Sequence, residues 1–333
     1  MGAEHNIRFG TNLITYFEPS WWGLDPDLSY SEWSAAFAEN PRAYFDRMLD
    51  ATVEAGLEGV ELAPDPGGWQ GALVAYGSTE GIRAALEERG LVLTSSYAHG
   101  RQLIGNAMTD PEAAVVAADA FERHARFLQE LGARTIVSGN IARSRFGNES
   151  PDATATAADF QQAVAPEVHE RFADHLNRLG AITARYDVQI AVHTDAYSIC
   201  SRDADIATVL SLTDPVGVAL CPDAGHITLD GGDAVAVLRD HIARIPTMHW
   251  KDCAAPLSGH VLRGDQKERH AEMLRSFRVL GDGIVDWEEW VRILRDHGWK
   301  GWASEEIDNS PEPVEELRRG LTYFRTHLAS IYR

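Results

Sequence analysis

Cysteine is scarce in this chain. Its three thiols, Cys200, Cys221 and Cys253, form no CxxC pair. Neither a disulfide framework nor a thiolate zinc site is indicated, and a reducing compartment, the cytoplasm, is expected. Long apolar runs are also lacking. No stretch approaches the ~18 apolar residues of a membrane helix, and Met1 to Phe9 carries no apolar leader core. The expectation is a soluble, unexported protein with no membrane partner. Basic charge is the third shortage: 30 Lys and Arg stand against 50 Asp and Glu, for a formal net charge of −20. So acidic a chain repels a phosphate backbone. Its densest basic stretch, Arg263 to Arg278, is broken by Asp265, Glu268 and Glu272, so no nucleic-acid partner is expected. Finally, no GxGxxG follows the first apolar run, which removes the main signature of a dinucleotide-binding fold.

What is present is a repeat of strand, loop and helix. Short β-branched runs occur at Ile7–Ile14, Gly59–Leu62, Val92–Tyr97, Thr135–Ser138, Val188–Thr194, Val216–Leu220, Thr247–Trp250 and Gly301–Ile307. Amphipathic patterns separate them, among them Tyr44–Ala55, Ala113–Leu131, Phe160–Tyr186 and Trp287–His297. Several of these stop at a glycine: Gly56, Gly90, Gly132 and Gly298. Strands alternating with helices imply a parallel sheet covered on both faces, and about eight repeats are the number that closes a barrel. The predicted fold is α/β, a (β/α)8 TIM barrel forming one domain over residues 1–333. Long loops follow strands 1 and 7, at Tyr16–Pro41 and Cys253–Asp286, and are expected to shape the mouth of the site.

Catalytic groups of such a barrel sit at the C-terminal ends of its strands. Those ends read Glu61, His99, His193-Thr-Asp195, Asp223-Ala-Gly-His226, His249-Trp-Lys-Asp252 and Glu305-Glu-Ile-Asp308. Four neighbouring strands therefore deliver imidazole or carboxylate to one rim. That donor set suits one divalent ion, Mn²⁺ first, with Zn²⁺, Fe²⁺ or Co²⁺ as alternatives. Strand alternation places His193 and Asp195 on one face, and likewise His249 and Lys251. It sends Glu305 and Glu306 to opposite sides, so only one of them can be a ligand.

Asp223-Ala-Gly-His226, His249-Trp-Lys-Asp252, Gly281-Asp-Gly-Ile-Val-Asp286 and Gly301-Trp-Ala-Ser-Glu-Glu306 resemble the xylose-isomerase-like barrels of the sugar phosphate isomerase/epimerase superfamily. These share the fold of the type 2 apurinic endonucleases. Phe9-Gly-Thr-Asn12 and Cys221-Pro-Asp-Ala-Gly-His-Ile-Thr-Leu-Asp-Gly-Gly-Asp233 look like inosose dehydratases. Gly10-Thr-Asn-Leu-Ile-Thr15, Trp22-Gly23, His193-Thr-Asp-Ala-Tyr197 and His249-Trp-Lys-Asp252 look like the large subunit of C-glycoside deglycosidases. By that resemblance the metal ligands are a fifth-strand residue, Asp223, His249 and Glu306. For the fifth strand, where the superfamily has Glu, Asp195 is favoured over His193 because it supplies a carboxylate. His193 is then the candidate base. His226 and Lys251 are candidates to bind hydroxyls or to protonate a leaving group. Glu61, His99, Trp22, Arg263 and Arg269 are candidate substrate contacts.

These assignments imply α-proton removal beside a ketone, with the developing negative charge stabilised by the ion and a base adding ~10²–10⁴-fold. The expected function is a metal-dependent lyase on a keto-sugar or keto-cyclitol, releasing water or a C-linked aglycone. The expected partners are a small sugar or glycoside substrate, and a small β subunit or further copies of the chain. A ketose isomerase or epimerase is the alternative. A metal-free sugar-binding barrel and an apurinic endonuclease are more distant ones.

Overall fold

The computed structural model describes residues 6–98, 101–143, 162–257, 266–308 and 310–332; of 101–102 and 266–269 it describes the backbone alone. Eight parallel strands form its centre. They are β1 (Ile7–Asn12), β2 (Gly59–Leu62), β3 (Val92–Ala98), β4 (Thr135–Ser138), β5 (Gln189–His193), β6 (Val218–Cys221), β7 (Thr247–Trp250) and β8 (Gly301–Glu305). Most of their residues are buried, as strands covered on both faces require. The sheet runs β6-β5-β4-β3-β2-β1-β8-β7. One parallel bridge between Asp223 and His249 completes the ring, where the His249 N–H donates to Pro222 O at 3.0 Å. The seam of the barrel is therefore held by two of the residues singled out for chemistry.

Local signals set the helices around it. Asp110 caps Pro111–Leu131 through the Glu112 N–H, and Gly132 ends it at φ 82°. Gly56 ends Pro41–Ala55 in the same left-handed conformation, at φ 85°, where a side chain would be strained. The helix expected from Phe160 is described from Pro166, which occupies its first turn, to Thr183. The loop after β1 contains a helix of its own, Tyr30–Glu39, opened by a Ser29/Glu32 capping box. The loop after β7 contains Gln266–Ser276. Among the described residues no helix is long and apolar enough to cross a membrane.

Alternation along each strand divides the core. Trp250 faces outward, against Phe9 at 5.4 Å, Trp287 at 5.1 Å and Phe324 at 5.8 Å between ring centroids. Inside the barrel, Val137, Ala191 and Ala219 lie in register and join Cys221 in a separate apolar cluster. His193 pairs with Cys221 at the ends of their strands. Small side chains at this level leave room for the longer polar groups at the strand ends.

Candidate metal centre

Four side chains from four strand ends converge in the barrel mouth. His193 ends β5, Asp223 and Glu306 follow β6 and β8, and His249 lies in β7. His249 Nδ1 stands 3.1 Å from His193 Nε2, 3.1 Å from Glu306 Oε2 and 3.8 Å from Asp223 Oδ2. His193 Nε2 is 3.5 Å from the same Asp223 oxygen. For bonds of ~2.1 Å, ligand atoms sharing one ion stand ~3.0–3.4 Å apart, so these spacings are close to those of a coordination shell.

The far side of each ring supports the same reading. His193 Nδ1 lies 3.0 Å from Asp195 Oδ1, and His249 Nε2 lies 3.1 Å from Glu61 Oε1. With the ring protons directed to those carboxylates, both inward nitrogens present lone pairs. Behind His249, Glu61 also accepts from Asn12 Nδ2 at 2.6 Å and Ser95 Oγ at 2.5 Å. Behind His193, Asp195 accepts the Asn140 N–H at 3.0 Å, and Asn140 Nδ2 donates to His193 O at 2.6 Å. Carboxylates placed so behind imidazoles orient the rings and raise their basicity toward an ion. Asp223 Oδ1 accepts the His226 N–H, while its buried Oδ2 has no hydrogen-bond partner. A buried anionic oxygen without a donor is costly, and a cation at this point would satisfy it.

Without such an ion, protons carry the positive charge. Burial disfavours a charged His193, yet Asp195 and Asp223 outweigh it and push the ring up to about 10. Burial likewise opposes charge on His249, but Cys221, Glu61 and Glu306 hold it well above the ordinary histidine value. Burial also works against ionisation of Asp195, which His193 nonetheless pulls down to about 2. The cluster therefore demands positive charge, supplied either by ring protons or by a metal.

Residues 49–327 match the sequence family described as xylose isomerase-like TIM barrel. The chain belongs to this family. Among similar sequences, the inosose dehydratase of Geobacillus thermodenitrificans is 29% identical over 251 residues, spanning 74% of this chain and 80% of its own. That of Klebsiella pneumoniae subsp. pneumoniae is 29% identical over 213 residues, spanning 62% and 70%. Among solved structures, the IolI protein with a binding zinc atom superposes with a TM-score of 0.65 at 16% identity, over 98% of this chain and 99% of that one. The 3-keto-D-glucoside 4-epimerase YcjR of E. coli gives 0.60 at 16% identity, over 96% and 99%. At these identities the structural likeness concerns the fold.

In this xylose isomerase-like barrel the sequence-predicted residues fall into distinct places. Asp223, His249 and Glu306 share the cluster. Asp195, favoured from sequence as the fifth-strand ligand, is not brought into it; it stands behind His193, whose Nε2 lies beside His249 and Asp223. Of the glutamate pair, Glu306 turns inward and Glu305 outward, buried against Gly320. Glu61 was expected to touch substrate but is fully buried behind His249. Trp22 is half-buried and does not line the cavity over the cluster. Its indole N–H donates to Tyr16 O at 2.6 Å, and its ring packs on Trp21 and Tyr44. His99 and Arg263 lie outside the described residues, as does the side chain of Arg269.

Above the cluster lies a cavity of about 440 Å³ lined by Asn12, Tyr97, Asn140, His226, Phe277 and Asp308, among others. That volume suits a small ring compound. Asn12, Tyr97 and Asn140 are neither carboxylates nor imidazoles, and only their places at or just past strand ends mark them in the sequence. His226 Nδ1 accepts the Ala196 N–H at 3.0 Å, which leaves the proton of the neutral ring on Nε2. Burial lowers His226 to about 4, keeping the ring neutral. Lys251 Nζ lies 2.5 Å from Glu306 Oε1 and 2.6 Å from Asp308 Oδ2. Burial opposes its charge, but Asp308, Glu306 and Asp223 hold it well above the usual lysine range.

Proposed function

We propose that this barrel is a divalent-metal-dependent lyase that eliminates water from a keto-cyclitol or keto-sugar. The observation that carries the reading is the gathering of His193 Nε2, Asp223 Oδ2 and Glu306 Oε2 around His249 Nδ1, each 3.1–3.8 Å from it, beneath a polar cavity. The inosose dehydratase relatives and the zinc of the IolI protein support it. On this reading His193, rather than Asp195, is the fifth-strand ligand. His193, Asp223, His249 and Glu306 would hold the ion, Mn²⁺ or Zn²⁺ by its donor set, which would supply Lewis-acid stabilisation of the charge that develops beside the ketone.

The remaining work falls to the chain's own side chains. Asn12, Asn140 and His226 Nε2–H bind hydroxyls and fix the ring. Asp308, beside the cavity, accepts the proton from carbon α to the ketone. The Lys251 ammonium gives its proton to the departing β-hydroxyl, so that water leaves and a double bond forms. Asp308 and Lys251, 2.6 Å apart, then exchange the proton and restore their charges. A C-linked aglycone in place of the hydroxyl would leave by the same proton bookkeeping, which is the C-glycoside deglycosidase version of the reaction.

The test is metal analysis of chelator-free protein, wild type and Asp223→Asn, followed by NMR in D₂O with inososes, keto-sugars and 3-oxo-C-glucosides. One ion in wild type, lost in the variant, with α-proton exchange and an unsaturated product supports the lyase. Exchange with an epimeric or isomeric product instead assigns an isomerase or epimerase. Absence of metal and of exchange leaves a binding barrel.

A further inference from the structure

A second set of ligand-type atoms, from Asp223, His226 and Glu306, shares Asp223 with the set formed by His193, Asp223 and His249. Lys251 Nζ stands in its midst: 2.5 Å from Glu306 Oε1, 2.6 Å from Asp308 Oδ2, 3.4 Å from His226 Nε2 and 3.6 Å from Asp223 Oδ2. Three carboxylates around one compact cation are the surroundings that a hard divalent ion takes, and carboxylates reaching two ions are the usual bridge of a two-metal site. The fully buried Asp223 Oδ2, without a hydrogen-bond partner, faces both positions.

We infer that the Lys251 ammonium occupies the place of a second metal ion and thereby limits the centre to one. An ammonium and a metal ion at this point would compete for the same carboxylate oxygens. Lys251, the residue just past β7, is turned inward by the alternation that also aims His249. Its ring of contacts closes with Phe277, over which Nζ lies 4.5 Å from the centroid. The position needs no imidazole. His226 Nδ1 already accepts the Ala196 N–H, so a hard ion there would rest on carboxylate oxygens and water. The exchange has a chemical consequence: a lysine carries a proton to donate, which a metal ion in that place does not.

The inference rests on the metal reading proposed above, and the experiment separates the two. Wild type, Lys251→Ala and Lys251→Met are each saturated with Mn²⁺, desalted and analysed for metal per folded chain, with electron paramagnetic resonance of the bound Mn²⁺. The expected stoichiometries are one ion in wild type, two in Lys251→Ala with a spectrum broadened by coupling, and one in Lys251→Met, whose side chain fills the space without charge. One ion in folded Lys251→Ala overturns the inference alone, as do two ions in wild type. No ion in wild type removes the metal reading and this inference with it. Should Lys251→Ala not fold, wild type and Lys251→Met decide at saturating Mn²⁺. One ion in each sustains the inference, and a second ion in wild type overturns it.

Discussion

Glu61 and His249, 188 residues apart in sequence, meet at 3.1 Å with neither side chain exposed to solvent. The carboxylate fixes which nitrogen of the ring faces the cluster. Glu61→Gln keeps the shape but removes the charge that raises the basicity of the ring. Metal affinity should fall ~10–100-fold, the range for groups placed behind a ligand, while the circular dichroism spectrum is unchanged. Metal titration of the two proteins checks this; equal affinity would show that Glu61 does not act through His249.

His193 and Asp195 separate by depth. If Nε2 of His193 is the ligand, His193→Ala should abolish tight metal binding. Asp195→Asn should only weaken it, by ~10–100-fold. The reverse order of severity, read by calorimetric titration, would return Asp195 to the first position.

Trp22 should stabilise the loop after β1, where it packs on Trp21 and Tyr44. Trp22→Ala should cost about 3 kcal/mol, at the lower end for loss of a packed tryptophan since the residue is only half-buried. Denaturant titration measures the loss. The KM for whichever substrate is identified should be unchanged, and a large rise in KM would place the indole at the mouth after all.

His124, which is not part of the cluster, should contribute to acid sensitivity. This buried ring stacks on Trp69 at 5.5 Å, and its Nε2 has no hydrogen-bond partner. Burial lowers it from the ordinary 6.5 to about 3. Between these values the unfolded chain binds a proton that the folded chain refuses, so stability is present above the upper value and drops as pH falls through the window. The contribution is up to about 1.4 kcal/mol per pH unit. His124→Phe keeps the stack and removes the proton. Its stability curve should lie progressively above that of wild type as pH falls from 6.5 toward 4. Parallel curves would assign the acid limb to other groups.

Much of this protein was determined by sequence alone. The β-branched runs at Gly59–Leu62, Thr135–Ser138 and Thr247–Trp250 are strands with those bounds. Gly56 and Gly132 end their helices because a left-handed residue is needed there. Period-two alternation required that His249 and Lys251 face one way and that Glu305 and Glu306 part company, which they do. These are local consequences of backbone geometry. The tertiary structure decided what has no local expression. Alternation turns both His193 and Asp195 inward, and two residues along a strand shift a side chain by ~6.6 Å. Which of them reaches the cluster depends on His249 across the barrel and on the Asn140 N–H that accommodates Asp195. Glu61 and Trp22 looked like rim residues until the closed barrel placed His249 over one and Tyr16, Trp21 and Tyr44 around the other. Strand ends can be read from one stretch of chain, but depth, partner and charge balance depend on elements that meet only when the ring closes.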